Sequence, residues 1–271
     1  MTTDFLEVHK GQAPVIIAFP HTGTDIPFAI EDRLVSGSMG RKDADWWIHK
    51  LYDFAAELGV TTVRTTISRT VIDVNRDPSG ASLYPGQATT ELCPTVSFDG
   101  EALYRSGQTP DEAEIAQRRQ AWFDPYHQAI ASEIARLMEL HPRVVLYDAH
   151  SIRSGIPRLF EGELPQFNIG TNGGATCDPA LSLAISQLCG QSGFSHVVNG
   201  RFKGGWTTRH YGRPLAGVHA IQMELACRGY MDEPDQVTPD NWPTPYDPAR
   251  AEPLRDVLVS LIQAALGFAR S

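Results

Sequence analysis

Residues 15–27, VIIAFPHTGTDIP, decide how this chain folds. Five apolar residues in a row stop at Pro20 and run into His21, Thr22 and Gly23. A short unbroken apolar run, bounded by proline and glycine, reads as a strand buried on both faces, as in a parallel sheet. Pro20 and Gly23 suffice for a turn, so the imidazole at the mouth of the strand is the feature to explain. Taken alone it is also compatible with an incidental histidine, because single short motifs carry little information.

Residues 143–155, RVVLYDAHSIRSG, repeat the design. Val144, Val145, Leu146 and Tyr147 form a second apolar run that delivers Asp148 and then His150. Two strands that each end in a histidine are more informative than one, because adjacent strand ends converge in space. Neutral imidazoles suit zinc, and a hydrolytic zinc site uses three protein ligands with one position left open. Residues two apart on a strand share a face, so Asp148 is placed to orient the His150 ring.

Outward from these two stretches, further strands are expected at 60–66, 70–74, 167–169, 196–199 and 217–225. Helical stripes separate them: Trp47, Leu51, Phe54 and Leu58; Ile130, Ile134, Leu137 and Met138, ended by His141 and Pro142; Leu181, Ile185 and Leu188; and Leu254, Leu258, Leu261, Ile262 and Leu266. Apolar strands alternating with amphipathic helices imply an α/β fold, a mixed and largely parallel sheet with helices on both faces. No repeat or linker interrupts the 271 residues, which read as a single domain, 1–271. In such sheets ligands bind beyond the carboxyl ends of the strands, which is where His21 and His150 lie.

Composition narrows the function. With 42% hydrophobic residues the chain should fold, and its net charge of −9 without a basic cluster argues against nucleic acid or an anionic membrane as partner. A small anionic substrate remains compatible, since a local arginine pocket overrides the global sign. The N-terminal residues have no apolar core of a secretory signal, and no apolar run reaches the length of a membrane span. Cys93, Cys177, Cys189 and Cys227 form no C-x-x-C pair, so free thiols in a reducing cytoplasm are expected. Oligomeric state is not legible.

Three more stretches carry chemistry. GRKDADWW offers Asp43 and Asp45 as carboxylate ligands, or as a helix N-cap and a first-turn charge; spacing does not choose. SRTVIDVNRDPSG brings Arg69, Asp73, Asn75 and Arg76 into a turn, where an arginine fork suits a carboxylate or a developing oxyanion. NGRFKGGWTTRHYGRPLAG sets Arg201, Lys203, Arg209, His210 and Arg213 among glycines and reads as a loop closing over an anion. It leads into VHAIQMEL, where Gln222 and Glu224 share a face with Val218 and Ala220. A carboxylate so late in a buried strand must be solvated, paired or functional, and beside a metal-activated water it serves as general base. Ser68 and Ser151 have no nucleophile elbow around them.

FPHTGTDIP, SRTVIDVNRDPSG, LYDAHSIRS, FNIGTNGG, KGGWTTRHYG and HAIQMELACRGYMDE, in this order, resemble the N-formylglutamate amidohydrolase family, distant relatives of zinc carboxypeptidases and aspartoacylases. The resemblance spans nearly the whole chain. It implies a zinc-carboxypeptidase-like fold and a metal-dependent amidohydrolase that converts N-formyl-L-glutamate to L-glutamate and formate in histidine degradation. It implies His21, Asp45 and His150 as ligands of one zinc ion, and Glu224 as the catalytic glutamate. Asn75 and Arg76 match the Asp-x-Asn-Arg of aspartoacylases, where these residues contact substrate. The pattern departs from the carboxypeptidases at Thr24, where they place a glutamate ligand three residues after the first histidine. A substrate with two carboxylates needs at least two cationic anchors, for which Arg69 and Arg209 join Arg76. Other readings are a deacylase of another N-acyl amino acid, a carboxypeptidase-like hydrolase, and a metal-free anion-binding protein.

Overall fold

The computed structural model describes residues 4–271; the first three positions of the expected domain lie outside the described residues. Seven strands join in one mixed sheet: β1 (Leu6–His9), β2 (Val15–Phe19), β3 (Thr61–Thr65), β4 (Val144–Ile152), β5 (Phe167–Gly170), β6 (His196–Val198) and β7 (Val218–Ala226), in the order β1-β3-β2-β4-β7-β5-β6. The centre is parallel, β3 with β2, β2 with β4 and β4 with β7. β1 runs antiparallel to β3, and β5 antiparallel to β7. β2 and β4 are buried along their whole length, as their unbroken apolar runs require.

Alternation along the central strands feeds two cores. Val15, Ile17 and Phe19 point with Tyr147, Ile221, Met223 and Leu225 into one, and Ile16 and Ala18 point with Leu146 and Ala220 into the other. The first core is covered by α2 (Ile48–Leu51), α5 (Pro179–Gln191) and α7 (Pro248–Arg270). The second is covered by α1 (Phe28–Glu31), by α3 (Glu112–Arg118), which continues through a π-helical turn, and by α4 (Asp124–Met138). In α7 the stripe Leu254, Leu258, Leu261, Ile262 and Leu266 is buried, as its spacing requires.

Three expectations fail locally. Residues 70–74 are not a strand but consecutive turns; Val71, Ile72 and Val74 are apolar because they pack into the second core. The stripe from Trp47 to Leu58 is not one helix. Trp47 has φ 62°, and the chain breaks into α2 and a 3₁₀ turn, Asp53–Ala56. The break is fixed from outside: the Trp46 carbonyl accepts from Tyr230 Oη, and Trp47 Nε1 donates to the Thr244 carbonyl. The glycine-rich stretch 200–217 is not a simple loop, since it holds α6 (Trp206–Tyr211), with Thr207 and Thr208 fully buried. β1 escaped the sequence reading because four half-buried residues are too short to show a period.

Candidate active site

The register of β4 against β7 builds the floor of the site. His150 stands opposite Glu224 and Asp148 opposite Gln222. All four belong to the same alternating set as Leu146 and Ala220, so one face carries four polar groups at its carboxyl end. His21 arrives from the neighbouring strand, two residues past the end of β2. Gly23 lets that turn lie flat on the chain after β3: a Cβ there would fall 2.3 Å from the Ile67 carbonyl oxygen. The turn in turn places Asp45, whose backbone N–H donates to the His21 carbonyl at 2.9 Å.

The two imidazoles are arranged alike. Each turns Nδ1 toward Asp45 Oδ2, at 3.1 Å from His150 and 3.7 Å from His21. Each turns Nε2 toward a further carboxylate, His21 to Asp73 Oδ1 at 2.7 Å and His150 to Asp148 Oδ1 at 3.1 Å. The ring centroids are 4.8 Å apart, and ligand atoms of His21, Asp45 and His150 all fall within 4.8 Å of one another. His21 Nδ1 is fully buried with no hydrogen-bond partner among the described residues. An orphaned buried nitrogen that faces another imidazole nitrogen and a carboxylate is a donor set fitted to a zinc-like divalent ion. Asp73 at His21, and Asp148 together with the Asn75 amide at His150, then fix the ring orientations from behind. Of the two aspartates left open by spacing, Asp45 joins the histidines. Asp43 accepts from the Phe98 N–H at 2.6 Å and faces Arg153.

Charge favours a cation at this point. Burial alone would push the His150 imidazole down, but the Asp148 carboxylate and hydrogen bonding to Asp148 and Asp45 raise it well above its ordinary value. Burial alone would raise Asp45, yet the neighbouring His21 and His150 hold it below the usual carboxylate range. The Asp73 carboxyl is also held well below that range, because Arg69, Arg76 and His21 outweigh its burial. Glu224 behaves in the opposite way: buried with little compensation, its carboxyl is pushed up to about 8.

The group opens onto a cavity of about 460 Å³ whose wall includes His21, His150, Glu224, Arg69, Arg76 and Arg201. Asn75 also reaches the wall. Its amide is engaged with the frame, since Nδ2 lies 3.3 Å from Asp148 Oδ2 and Oδ1 accepts from the Thr207 N–H at 2.8 Å. Arg69 is likewise engaged, donating to Asp73 Oδ2 at 2.6 Å and lying 3.5 Å from Asp45 Oδ1. Arg76 donates from Nε to the Thr90 carbonyl and keeps a partly exposed edge. Arg209, expected at the substrate, is placed elsewhere. It donates to the carbonyls of Gly204 and Leu83 and does not border the cavity. Ser68 Oγ donates to the Gly40 carbonyl and Ser151 Oγ accepts from Tyr230 Oη, so neither is paired with an imidazole. Sequence reasoning passed over Asp73 as the partner of His21, although its position two residues before Asn75 mirrors Asp148 before His150. Arg201, read from sequence only as one cation of a loop closing over an anion, and Gln222, read only as sharing the face of Glu224, both lie on the cavity wall.

The N-formylglutamate amidohydrolase family model matches residues 13–231. The N-formylglutamate deformylase of Pseudomonas aeruginosa is 44% identical over 268 residues, covering 98% of each chain. That of Pseudomonas putida is 44% identical over 264 residues, 97% of this chain and 96% of the relative. Among solved structures, the N-formylglutamate amidohydrolase of Ralstonia eutropha JMP134 superposes with a TM-score of 0.79 at 20% identity over 98% of each chain, a likeness of fold. A protein of Agrobacterium tumefaciens does so at 0.73 and 18% identity, covering 98% of this chain and 95% of that one. By the extent of the family match and by its full-length relatives, the chain belongs to the N-formylglutamate amidohydrolase family.

Proposed function

We propose that this protein hydrolyses N-formyl-L-glutamate to L-glutamate and formate, as a metal-dependent amidohydrolase with one zinc ion held by His21, Asp45 and His150. The observation that carries the reading is the convergence of these three ligand atoms at the foot of a cavity that also exposes Glu224 and a set of arginines. The full-length relatives named as N-formylglutamate deformylases support the substrate. A role in histidine degradation follows from the same resemblance.

A divalent ion at this site supplies Lewis-acid polarisation of a carbonyl and a water more acidic than bulk. The residues do the rest. Glu224 stands opposite His150 on the cavity wall, placed to take a proton and return it. It removes the proton from the attacking water as oxygen bonds to the formyl carbon. It then passes that proton to the departing nitrogen as the C–N bond breaks, leaving formate and the free amine. Arg76 faces the cavity beside Asp73 and receives the carboxylate nearest the reacting amide, adding positive charge where the oxyanion grows. Asn75 and Arg69 hold Asp148, Asp73 and Asp45 in place, and so act by positioning. Arg209 acts one step further out, tying α6 to the chain at Leu83 that walls the cavity.

The test is formate release from N-formyl-L-glutamate by purified protein, before and after chelation, with zinc then added back. Release that chelation stops and zinc restores is the expected result. Release unaffected by chelation removes the metal. No release from folded, zinc-loaded protein removes the substrate.

A further inference from the structure

Three arginines reach the cavity wall, and two of them have a carboxylate within the protein. Arg69 is bonded to Asp73 and lies near Asp45, and Arg76 lies 3.5 Å from Asp73 Oδ2. Arg201, three residues past β6, has no carboxylate partner among the described residues. Its hydrogen bonds are to backbone carbonyls alone, Nε to Leu159 at 2.7 Å and Nη2 to Ala88 at 2.9 Å. The guanidinium carbon is 5.5 Å from the Tyr84 ring centroid and 5.4 Å from that of Phe202. Tyr84 is itself backed by Arg209, 4.9 Å from the same ring. Two carbonyls and two rings thus fix the plane of the guanidinium and leave Nη1 without an acceptor among the described residues. Burial already pushes its pKa below the ordinary arginine value, and Arg76 adds repulsion, against partial compensation by Tyr84 and Glu224. A rigid, half-buried cation without a counter-ion is unfavourable until an anion reaches it, and a planar guanidinium fork is suited to carboxylates.

Position separates the two cavity arginines that remain open to substrate. Arg76 stands next to Asn75 and Asp73, the residues that touch His150 and His21. Arg201 touches Leu159, Ala88, Tyr84 and Phe202, none of which is hydrogen-bonded to His21, Asp45 or His150 among the described residues. We infer that Arg201 binds the side-chain carboxylate of the substrate, whose carbon is four bonds from the scissile nitrogen, and so makes the enzyme select acidic over neutral N-formyl amino acids. This rests on the deformylase reading given above and assigns the far end of the same site.

The experiment is a cycle of two proteins and two substrates: wild type and Arg201→Gln, each with N-formyl-L-glutamate and N-formyl-L-glutamine. The two substrates have nearly the same shape and differ in the charge at the far end. Wild type is expected to prefer the glutamate derivative by about 100-fold or more in kcat/KM. Arg201→Gln should lose roughly 30- to 100-fold on that substrate, chiefly through KM, and less than about threefold on the glutamine derivative. Equal losses on both substrates, or no loss on either, overturn the inference while leaving the deformylase reading in place. Wild-type protein that releases no formate from N-formyl-L-glutamate overturns that reading, and the inference with it. If the glutamine variant is unfolded by circular dichroism, Arg201→Lys decides. It keeps the charge without the fork and should keep part of the preference for the glutamate derivative. Equal losses on both substrates in Arg201→Lys assign the effect to the clamp on Leu159 and Ala88 and overturn the inference.

Discussion

His21 and His150 each present one ring nitrogen to Asp45 and the other to a carboxylate behind it, so the candidate metal site has a doubled frame. Asp73 is the half of that frame most open to test. Asp73→Asn keeps the shape but weakens the hold on His21 and removes the charge that faces Arg69. Zinc affinity should fall about 10- to 100-fold, read by competition with a chromophoric chelator, with much of the activity returning at saturating zinc. Unchanged affinity would reduce Asp73 to a partner of Arg69. Glu224 makes the complementary case. Glu224→Gln is isosteric and is not one of the three candidate ligands. It should lower kcat by about 10³-fold while metal analysis still finds one zinc per chain. Retained turnover would remove Glu224 from the chemistry.

At the scale of elements, α4 and α6 meet over the second core, and His127 of α4 sits in their contact. It is buried, with Nε2 2.7 Å from the Val74 carbonyl and Nδ1 3.1 Å from Tyr211 Oη. Burial pushes the His127 pKa down to about 3, against about 6.5 in an unfolded chain. The sign follows from proton counting. Above pH ~6.5 neither state holds this proton, and the residue adds no pH dependence. Between ~6.5 and ~3 the unfolded chain binds the proton and the native state does not, so stability is lost as pH falls through that window. By pH 5 the loss attributable to His127 is about 2 kcal/mol, from ~1.4 kcal/mol per pH unit. Urea unfolding at pH 7 and pH 5 should show a smaller acid loss for His127→Gln than for the wild type. Equal losses would mean that His127 titrates normally in the native state.

At the scale of the whole molecule, the candidate site gathers residues from the turn after β2, the segment before α2, the turns after β3, and the ends of β4 and β7. An ion bound there exists only in the folded chain, so zinc should stabilise by mass action, about 2.7 kcal/mol at a hundredfold excess over its dissociation constant. For a chain of this size that is a rise in melting temperature of about 5–10 °C, dependent on zinc concentration and reversed by chelation. A melting temperature indifferent to zinc would argue that the three residues do not form a metal site.

Sequence by itself determined the parts governed by local pattern. Unbroken apolar runs made β2 and β4 buried strands, and period-two alternation put Gln222 and Glu224 on one face of β7 and Ile221 and Met223 on the other. The 3.6-residue stripes gave α4, α5 and α7, and strand ends pointed to His21 and His150. What it missed was non-local. The apolar pattern of Val71, Ile72 and Val74 looked like a strand, because burial in a core and burial in a sheet select the same side chains. The Trp47 stripe looked like a helix, because nothing nearby in sequence encodes the contacts to Tyr230 and Thr244 that bend it. Spacing left Asp45 and Asp43 open and the family resemblance chose Asp45, while the pairing of Asp73 with His21 and the exchange of Arg209 for Arg201 at the cavity wall were decided only by tertiary structure. Each depends on which direction a side chain faces once strands far apart in the chain have paired, and residue spacing carries no information about that.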